Sequence, residues 1–506
     1  MTKHILALDQ GTTSSRAILF EHDGNIAGTA QHEFRQIYPS VGWVEHDPYD
    51  ILTSQLSSAV EVLGRTQVRP RDVAALGITN QRETTIVWNR ETGKPVYNAI
   101  VWQDRRGAPL CQKLADDGAE ETIRNKTGLL IDPYFSATKV AWILDNVGGA
   151  RAQAEQGKLA FGTVDSWLIW NLTSGRRHIT DRTNASRTML YNIVEDRWDA
   201  GLLRLLNIPE SMMPEVVWSS ERIGQVTTSL GLGEVEIAGI AGDQQAALFG
   251  QLCVTPGDAK NTYGTGCFLL QHIGSDFTLS GHRLITTLAC NPNRKLEYAL
   301  EGSIFVGGAV VQWLRDNMRF FSASADVEAI AATVDSTNGV VFVPAFTGLG
   351  APYWDPYASG MIIGIQRSTE VGHLARAAIE SIAFQVSDVL HAMGHDTGRP
   401  LAELRVDGGA AANDMLMQFQ ADLLQLPVRR PATLETTALG AAYLAGLAVD
   451  FWSGTEEIAK LRSPDKLFQP RADRREMQRR LEKWQDAVAR ARGWNRASNA
   501  EPGQGS

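Results

Sequence analysis

Residues 6–20 read LALDQGTTSSRAILF, and the fold turns on how this stretch is read. A short apolar run, residues 5–8, ends at an acid, Asp9. A small hydroxyl-rich loop follows, Gln10-Gly11-Thr12-Thr13-Ser14-Ser15, and closes on a cation, Arg16. A second apolar run, residues 17–20, then meets the turn residues His22-Asp23-Gly24-Asn25. This pattern predicts strand, tight turn, strand. Such a turn can aim several backbone N–H groups at one spot and line it with hydroxyls. That suits an anion, with Asp9 placed to hold a cation beside it. Taken alone, the stretch fits an ordinary polar hairpin equally well.

The 506 residues around it predict two or three domains, and 43% hydrophobic with 21% charged residues predicts a packed globular chain. Lys and Arg number 48 against 57 Asp and Glu, a net charge of −9, with no long basic run. Nucleic acid and anionic membrane are therefore not the expected partners, and an anionic ligand needs a local site. The four cysteines (Cys111, Cys253, Cys267, Cys290) show no C-x-x-C spacing, which fits reduced thiols in a cytoplasmic protein. Met1-Thr2-Lys3-His4 runs straight into a strand, so no signal peptide is expected. The longest apolar stretch, residues 438–449, is interrupted by Gly440 and Gly446 and falls short of the ~20 residues of a membrane span.

Along the chain, strands are expected at 26–34, 73–78, 86–88, 99–102 and 159–161, and helices at 48–63, 110–127, 138–147 and 166–172. The class is α/β, with helices covering both faces of sheets. A second beginning follows. Residues 259–270, AKNTYGTGCFLL, again run from an extended segment through a Gly-Thr-Gly turn into an apolar strand. Downstream lie a strand at 298–301, a Gly307-Gly308 entry to a helix at 309–317, and a strand at 404–406. The last ends in Asp407-Gly408-Gly409, ahead of a helix at 414–424. The expected divisions are 1–252, 253–452 and 453–506. In the last part, residues 470–492 carry Met477, Leu481, Trp484 and Val488 at helical spacing, a surface helix packed on the second half. Residues 496–506 are expected to fray. Arg474-Arg475 and Arg479-Arg480 are read as a solvated face, and His391 with His395 as an ordinary helix face.

Two hydroxyl-rich hairpins, one per half, suggest a cleft that holds a polyphosphate between two domains. Gly lets the backbone approach the phosphates; Thr12, Thr13, Ser14 and Thr265 can donate to them, and Arg16 adds charge. There is no G-x-x-x-x-G-K-[ST] loop and no protein-kinase H-R-D set. Asp243 closes an apolar strand in GIAGDQQ, which makes it a candidate general base, or more plainly a cap on the helix that follows. Arg82-Glu83 can hold a polyol, Glu accepting from hydroxyls and Arg donating to their oxygens, or can be a surface ion pair. Trp102 and Phe268 can face the carbon side of a small ligand, or can simply pack in a core.

Several stretches together resemble the FGGY carbohydrate kinases, and among them the members that act on glycerol. They are DQGTTSSR at 9–16, GITNQRETTIVW at 77–88, NAIVWQ at 98–103, DPYF at 132–135 and TNASRTML at 183–190. Residues 239–253, 260–268 and 405–409 add to them, as does FTGLGAPYWDP at 346–356. Residues 134–146 and 360–380 resemble the two general signatures of the family, and the likeness runs from about residue 5 to 452. The resemblance implies an actin-like fold: two RNase-H-like domains with ATP and substrate in the cleft between them. It implies that Arg82, Glu83, Tyr134 and Asp243 bind glycerol hydroxyls, with Gln244 beside them, and that Trp102 and Phe268 cover its carbons. Thr12, Thr13, Ser14, Arg16 and Thr265 would serve the phosphates, and Gly308, Gln312, Gly409 and Asn413 the nucleotide. Asp9 would serve Mg²⁺ through water, and Asp243 would take the proton from the 3-hydroxyl. The expected partners are glycerol and ATP, in a homo-oligomer, dimer or tetramer.

Two other readings stand beside this one. A kinase of the same fold could act on a pentulose, erythritol or a hexonate; Arg82-Glu83 together with Trp102 argues for glycerol. An actin- or chaperone-like nucleotide switch would leave Arg82, Glu83 and Asp243 without an account. One departure from the family concerns regulation. Where some bacterial members bind fructose 1,6-bisphosphate with a Gly-rich loop and a nearby Arg, this chain has Leu230-Gly231-Leu232-Gly233-Glu234-Val235-Glu236. Glu234 and Glu236 would repel an anionic effector, which implies weak or absent inhibition, checked by titrating that effector against activity. The segment around 470–480 also departs from members that dock a sugar-transport regulator there.

Overall fold

The structure is a computed structural model and describes residues 3–462 and 465–496. It begins with the expected hairpin. β1 (His4–Gln10) pairs antiparallel with β2 (Ser14–Phe20), Asp9 opposite Arg16. The Gly11 N–H donates to the Ser14 carbonyl at 2.9 Å and closes the turn. β3 (Ile26–Glu33) continues antiparallel on β2, and β4 (Val73–Asn80) lies parallel to β1. β5 (Ser220–Gln225) and β6 (Glu236–Gly242) pair antiparallel, with β6 parallel to β4. The sheet order is β5-β6-β4-β1-β2-β3. Helix α1 (Pro48–Thr66) starts at Asp47, whose side chain accepts from the Tyr49 N–H, and buries Ile51, Ala59, Val62 and Leu63 towards β2 and β3.

The second hairpin founds a second sheet of the same plan. β7 (Ala259–Tyr263) and β8 (Cys267–Gly274) are antiparallel. β9 (Ile285–Leu288) and β10 (Tyr298–Ile304) extend the sheet antiparallel beyond β8. On the other side, β11 (Leu404–Asp407) is parallel to β7 and β12 (Val428–Arg430) parallel to β11, with β13 (Lys466–Phe468) antiparallel at the edge. The order is β9-β10-β8-β7-β11-β12-β13. In both sheets an antiparallel hairpin is flanked by parallel strands that need helical crossovers. This is the α/β class read from the chain, in the doubled RNase-H-like, actin-like form that the resemblance implied.

Several local expectations are corrected. The helix at 110–127 is two, Ala108–Asp116 and Glu120–Thr127, because Gly118 turns left-handed (φ 77°) between them. The strand at 99–102 is only Ala99–Ile100. The expected fraying at 496–506 falls, beyond Arg496, outside the described residues. All four cysteines are buried and unpaired by disulfides, as expected. No helix among the described residues is long and apolar enough to cross a membrane.

The two sheets are tied together by helices. α2 (Asp243–Gly250) leaves β6 towards β7, and α3 (Ala309–Asp316) follows β10. α4 (Val371–Thr397) and α5 (Asp414–Leu424) pack on each other in the second half. α6 (Thr436–Ala448) belongs to the second half in sequence but packs on β1, β4, β5, β6 and α2 of the first. Apolar on all sides, it is buried rather than membrane-spanning. Glycines let it approach: a Cβ on Gly440 would stand 1.9 Å from the Ala246 carbonyl oxygen, and one on Gly77 2.2 Å from that of Ala441. α7 (Arg474–Ala491) buries Met477, Leu481, Trp484 and Val488, and Trp484 stacks on Phe384 with centroids 5.3 Å apart. Arg480 is not merely solvated: it pairs with Glu380 and lies over the Phe419 ring at 4.7 Å.

The α2–α6 crossing is tested by paired glycine substitutions. Gly440→Ala should lower the thermal unfolding midpoint, since overpacking against fixed backbone costs ~1–3 kcal/mol or more. Gly394→Ala, in α4 with nothing within 4 Å of the added Cβ, should raise it or leave it unchanged, by up to ~1 kcal/mol of helix propensity. Equal midpoints for the two variants would contradict the close approach.

Candidate active site

Three parallel strands, β1, β4 and β6, end at one edge of the first sheet, Gln10 and Gly242 both in register with Asn80. Ligands of such sheets sit off the carboxyl ends of the strands. Asp9 comes from β1, Arg82 and Glu83 from the segment after β4, and Asp243 from the first residue of α2, where its Oδ1 accepts from the Gln244 N–H at 2.8 Å. The turn into Asp243 is itself held. Asp181 accepts from the Thr183 hydroxyl, and the Thr183 Oγ1 in turn accepts from the Gly242 N–H at 2.9 Å.

Glu83 has a left-handed backbone (φ 62°), a costly conformation for a residue with a Cβ. Its carbonyl is gripped by the Thr85 and Ser136 hydroxyls, both at 3.0 Å. Arg82 and Glu83 are buried, not a surface pair. Their partners come from elsewhere in the chain. Arg187 Nε donates to Glu83 Oε1 at 2.6 Å. Arg82 donates from Nη1 to Glu301 Oε2 at 2.5 Å and from Nη2 to Glu301 Oε1 at 3.0 Å, while Arg187 Nη2 reaches the same Oε1 at 3.1 Å. Glu301 stands on β10, in the second half. Burial pushes its carboxyl up, but the Arg187 and Arg82 guanidiniums outweigh this and hold it at about 2. Arg82 Nε forms an ion pair with Asp243 Oδ1 at 3.1 Å but at an angle that makes no hydrogen bond, so this buried donor has no hydrogen-bond partner among the described residues.

Trp102 and Tyr134 meet edge to face with centroids 5.6 Å apart, beside this cluster. The Trp102 indole N–H also donates to Thr12 Oγ1 at 3.0 Å, which ties the aromatic wall to the first loop. Burial, with Glu83 adding to it, pushes the Tyr134 phenol upward, so it stays protonated. Phe268 stands half-buried on β8, in register with Ser303. Gln244 Oε1 accepts from the buried Lys260 Nζ at 2.6 Å, and the same ammonium donates to Thr262 Oγ1 at 2.7 Å.

The remaining predicted residues divide. Thr13 and Thr265 are exposed at the tips of the two hairpins, and Ser14 Oγ accepts from Gln31. Arg16 pairs with Glu435, the residue before α6, and with Gln31. Gly308 opens α3 with its N–H on the Gly264 carbonyl at 2.8 Å, and Gln312 is exposed one turn later. Gly409 follows β11 with open space where a Cβ would be, and Asn413 Oδ1 caps α5 through the Leu416 N–H at 2.8 Å. Lys260, Arg187, Gln245 and Glu301 are the members that sequence reasoning did not single out. The available signal was a lone charge inside an otherwise apolar strand, as in YALEGSI at Tyr298–Ile304.

Asp9 can serve a divalent cation. Burial raises its carboxyl to about 7 against Arg16, and Glu435 and Asp243 add negative charge. No group of three or more His, Cys, Asp or Glu among the described residues forms a cation cage, His391 and His395 included.

Two domain models match the chain: the N-terminal domain of the FGGY family of carbohydrate kinases over residues 4–250, and its C-terminal domain over 259–449. The chain belongs to the FGGY family of carbohydrate kinases. It is 61% identical over 494 residues to the glycerol kinase of Koribacter versatilis, covering 98% of this chain and 99% of the relative. The glycerol kinase of Vibrio cholerae is 58% identical over 500 residues, 99% of each chain. Among solved structures, Plasmodium falciparum glycerol kinase with ADP superposes with a TM-score of 0.91 at 36% identity, over 97% of this chain and 98% of that one. A xylulose kinase from Lactobacillus acidophilus, at TM-score 0.87 and 22% identity over 98% and 99% of the two chains, shares the fold.

The raised Asp9 carboxyl gives a pH test. Its ordinary value is 3.8 and its folded value about 7, so between them the native state binds the extra proton and stability falls as pH rises, levelling off above about 7. Without Mg²⁺ or nucleotide, the stability gained by Asp9→Asn over wild type should therefore grow between about pH 4 and about pH 7 in urea unfolding. A difference that does not vary with pH would contradict the assignment.

Proposed function

We propose that this chain is an ATP:glycerol 3-phosphotransferase with Asp243 as its general base. The observation that carries the reading is Arg82 Nε, ion-paired with Asp243 Oδ1 but without a hydrogen-bond partner, a donor and an acceptor side by side at the carboxyl ends of the strands. A vicinal diol answers both: one hydroxyl accepts from Arg82, and its neighbour donates to Asp243. Glu83, tethered by Arg187, offers a further acceptor, and Trp102 and Tyr134 wall the carbon side. The high identity to glycerol kinases over nearly the whole chain supports glycerol over larger polyols.

Phosphoryl transfer asks mainly for position and charge neutralisation. Asp243 would withdraw the proton from the 3-hydroxyl as that oxygen attacks the γ-phosphorus of ATP in line, with ADP leaving. A base so placed contributes ~10²–10⁴-fold. Thr12, Thr13, Ser14 and Arg16 on the first hairpin and Thr265 on the second would hold the phosphates, and Gly308, Gln312, Gly409 and Asn413 the nucleotide. Asp9 would hold Mg²⁺ through water; when bound, the ion neutralises phosphate charge. Closing the lobes would exclude water, the competing acceptor. The assembly we propose is a homo-oligomer in the cytoplasm, dimer or tetramer, tested by light scattering of the purified protein.

A coupled ADP-release assay across glycerol, erythritol and pentuloses should show a marked preference for glycerol. Asp243→Asn should cut turnover by ~10²-fold or more while calorimetric glycerol affinity stays within about tenfold of wild type, the scale of one modest hydrogen bond. Turnover within about tenfold of wild type would remove Asp243 as the base.

A further inference from the structure

Resting on the reading above, we propose that Glu301 is a positioning residue for the polyol: it reaches from the second lobe and fixes the Arg82 guanidinium so that Nε faces the substrate beside Asp243.

Glu301 stands in the middle of β10, fully buried, and carries the one charge of that strand. A charge there is costly unless paired. Both its oxygens are taken by Arg82, Oε2 at 2.5 Å from Nη1 and Oε1 at 3.0 Å from Nη2. A bidentate carboxylate–guanidinium fork fixes the plane of the guanidinium as well as its place. Gln245 Oε1 accepts from the same Nη1 at 3.1 Å and adds a further restraint. With both terminal nitrogens held, the orientation of Nε is set, and Nε is the edge that faces Asp243.

The same carboxylate reaches Glu83 at one remove. Arg187 donates to Glu301 Oε1 and to Glu83 Oε1, at 3.1 and 2.6 Å. The polyol-facing donor, Arg82, and the polyol-facing acceptor, Glu83, thus hang on one group that belongs to the other sheet. Separating the lobes would pull Glu301 from Arg82 and release the guanidinium. Glycerol affinity is therefore coupled to lobe position through a residue that makes no contact with the reacting hydroxyl or phosphate.

The test is the kinetics of Glu301→Gln beside wild type. The amide keeps the shape and removes the charge and one acceptor. The expected result is a KM for glycerol raised about ten- to hundredfold, the scale of a charge-assisted hydrogen bond lost, with the KM for ATP within about threefold; the thermal midpoint falls as well, because two buried guanidiniums lose a counter-charge. A merely structural role would move both KM values together. Glu301→Asp, which keeps the charge on a shorter stem, should restore part of the glycerol KM; it carries the test alone if the Gln variant does not fold. A wild-type glycerol KM in folded Glu301→Gln, or a glycerol KM in Glu301→Asp no lower than that of the Gln variant, overturns the inference and leaves the function standing. Wild type that does not phosphorylate glycerol overturns the function, and this inference with it.

Discussion

Four charged side chains, Arg82, Glu83, Arg187 and Glu301, meet with no water access where the two halves of the chain come together, and the site is built on that meeting. Desolvating such groups costs several kcal/mol each, and a buried network is often no more stable than apolar packing in its place. Stability is then a weak reason for the arrangement. Geometry is a stronger one. Each guanidinium is held by two carboxylates or a carboxylate and an amide, so the donors and acceptors that face the cleft have little freedom left. The polyol proposed as substrate offers only hydroxyls, whose recognition depends on direction, and a preorganised set of directions is what such a network can supply.

The doubled topology explains why the network spans two lobes. Each half opens with a hydroxyl-rich hairpin and continues through parallel strands. The first half brings Arg82, Glu83 and Asp243 to this edge, and the second brings Glu301 and the glycine turns at 264–266 and 408–409. α6 returns from the second half to lie on the first sheet, its approach made possible by Gly77, Gly239 and Gly440. Glu435, at its start, meets Arg16 on the first hairpin. A packing contact between the halves therefore runs through the first hairpin.

Much of this was legible in the chain. Both hairpins, the parallel strands and the helices at 48–63 and 414–424 follow from apolar periodicity and turn chemistry, and these local signals agree with the fold. Asp9, Arg82, Glu83 and Asp243 were legible because each closes or follows an apolar strand with a charge. The break at Gly118 was missed because a single glycine inside a helical pattern is usually tolerated. Glu301 and Arg187 were missed as site members because their partners lie more than a hundred residues away, at 82 and 83, and periodicity carries no information on such pairing. Arg480 looked solvated for a similar reason: Glu380 is a hundred residues before it.

The central claim is that the buried network presents Arg82 and Asp243 as a matched donor and acceptor for glycerol. The most direct measurement is a crystal structure with glycerol and a nucleotide bound. The expected result is a terminal glycerol hydroxyl ~2.6–3.2 Å from the Asp243 carboxylate, the range a working base requires, an adjacent hydroxyl accepting from Arg82 Nε, and the Arg82–Glu301 fork intact. Glycerol bound away from Asp243, or Arg82 swung off Glu301 to reach it, would contradict the account.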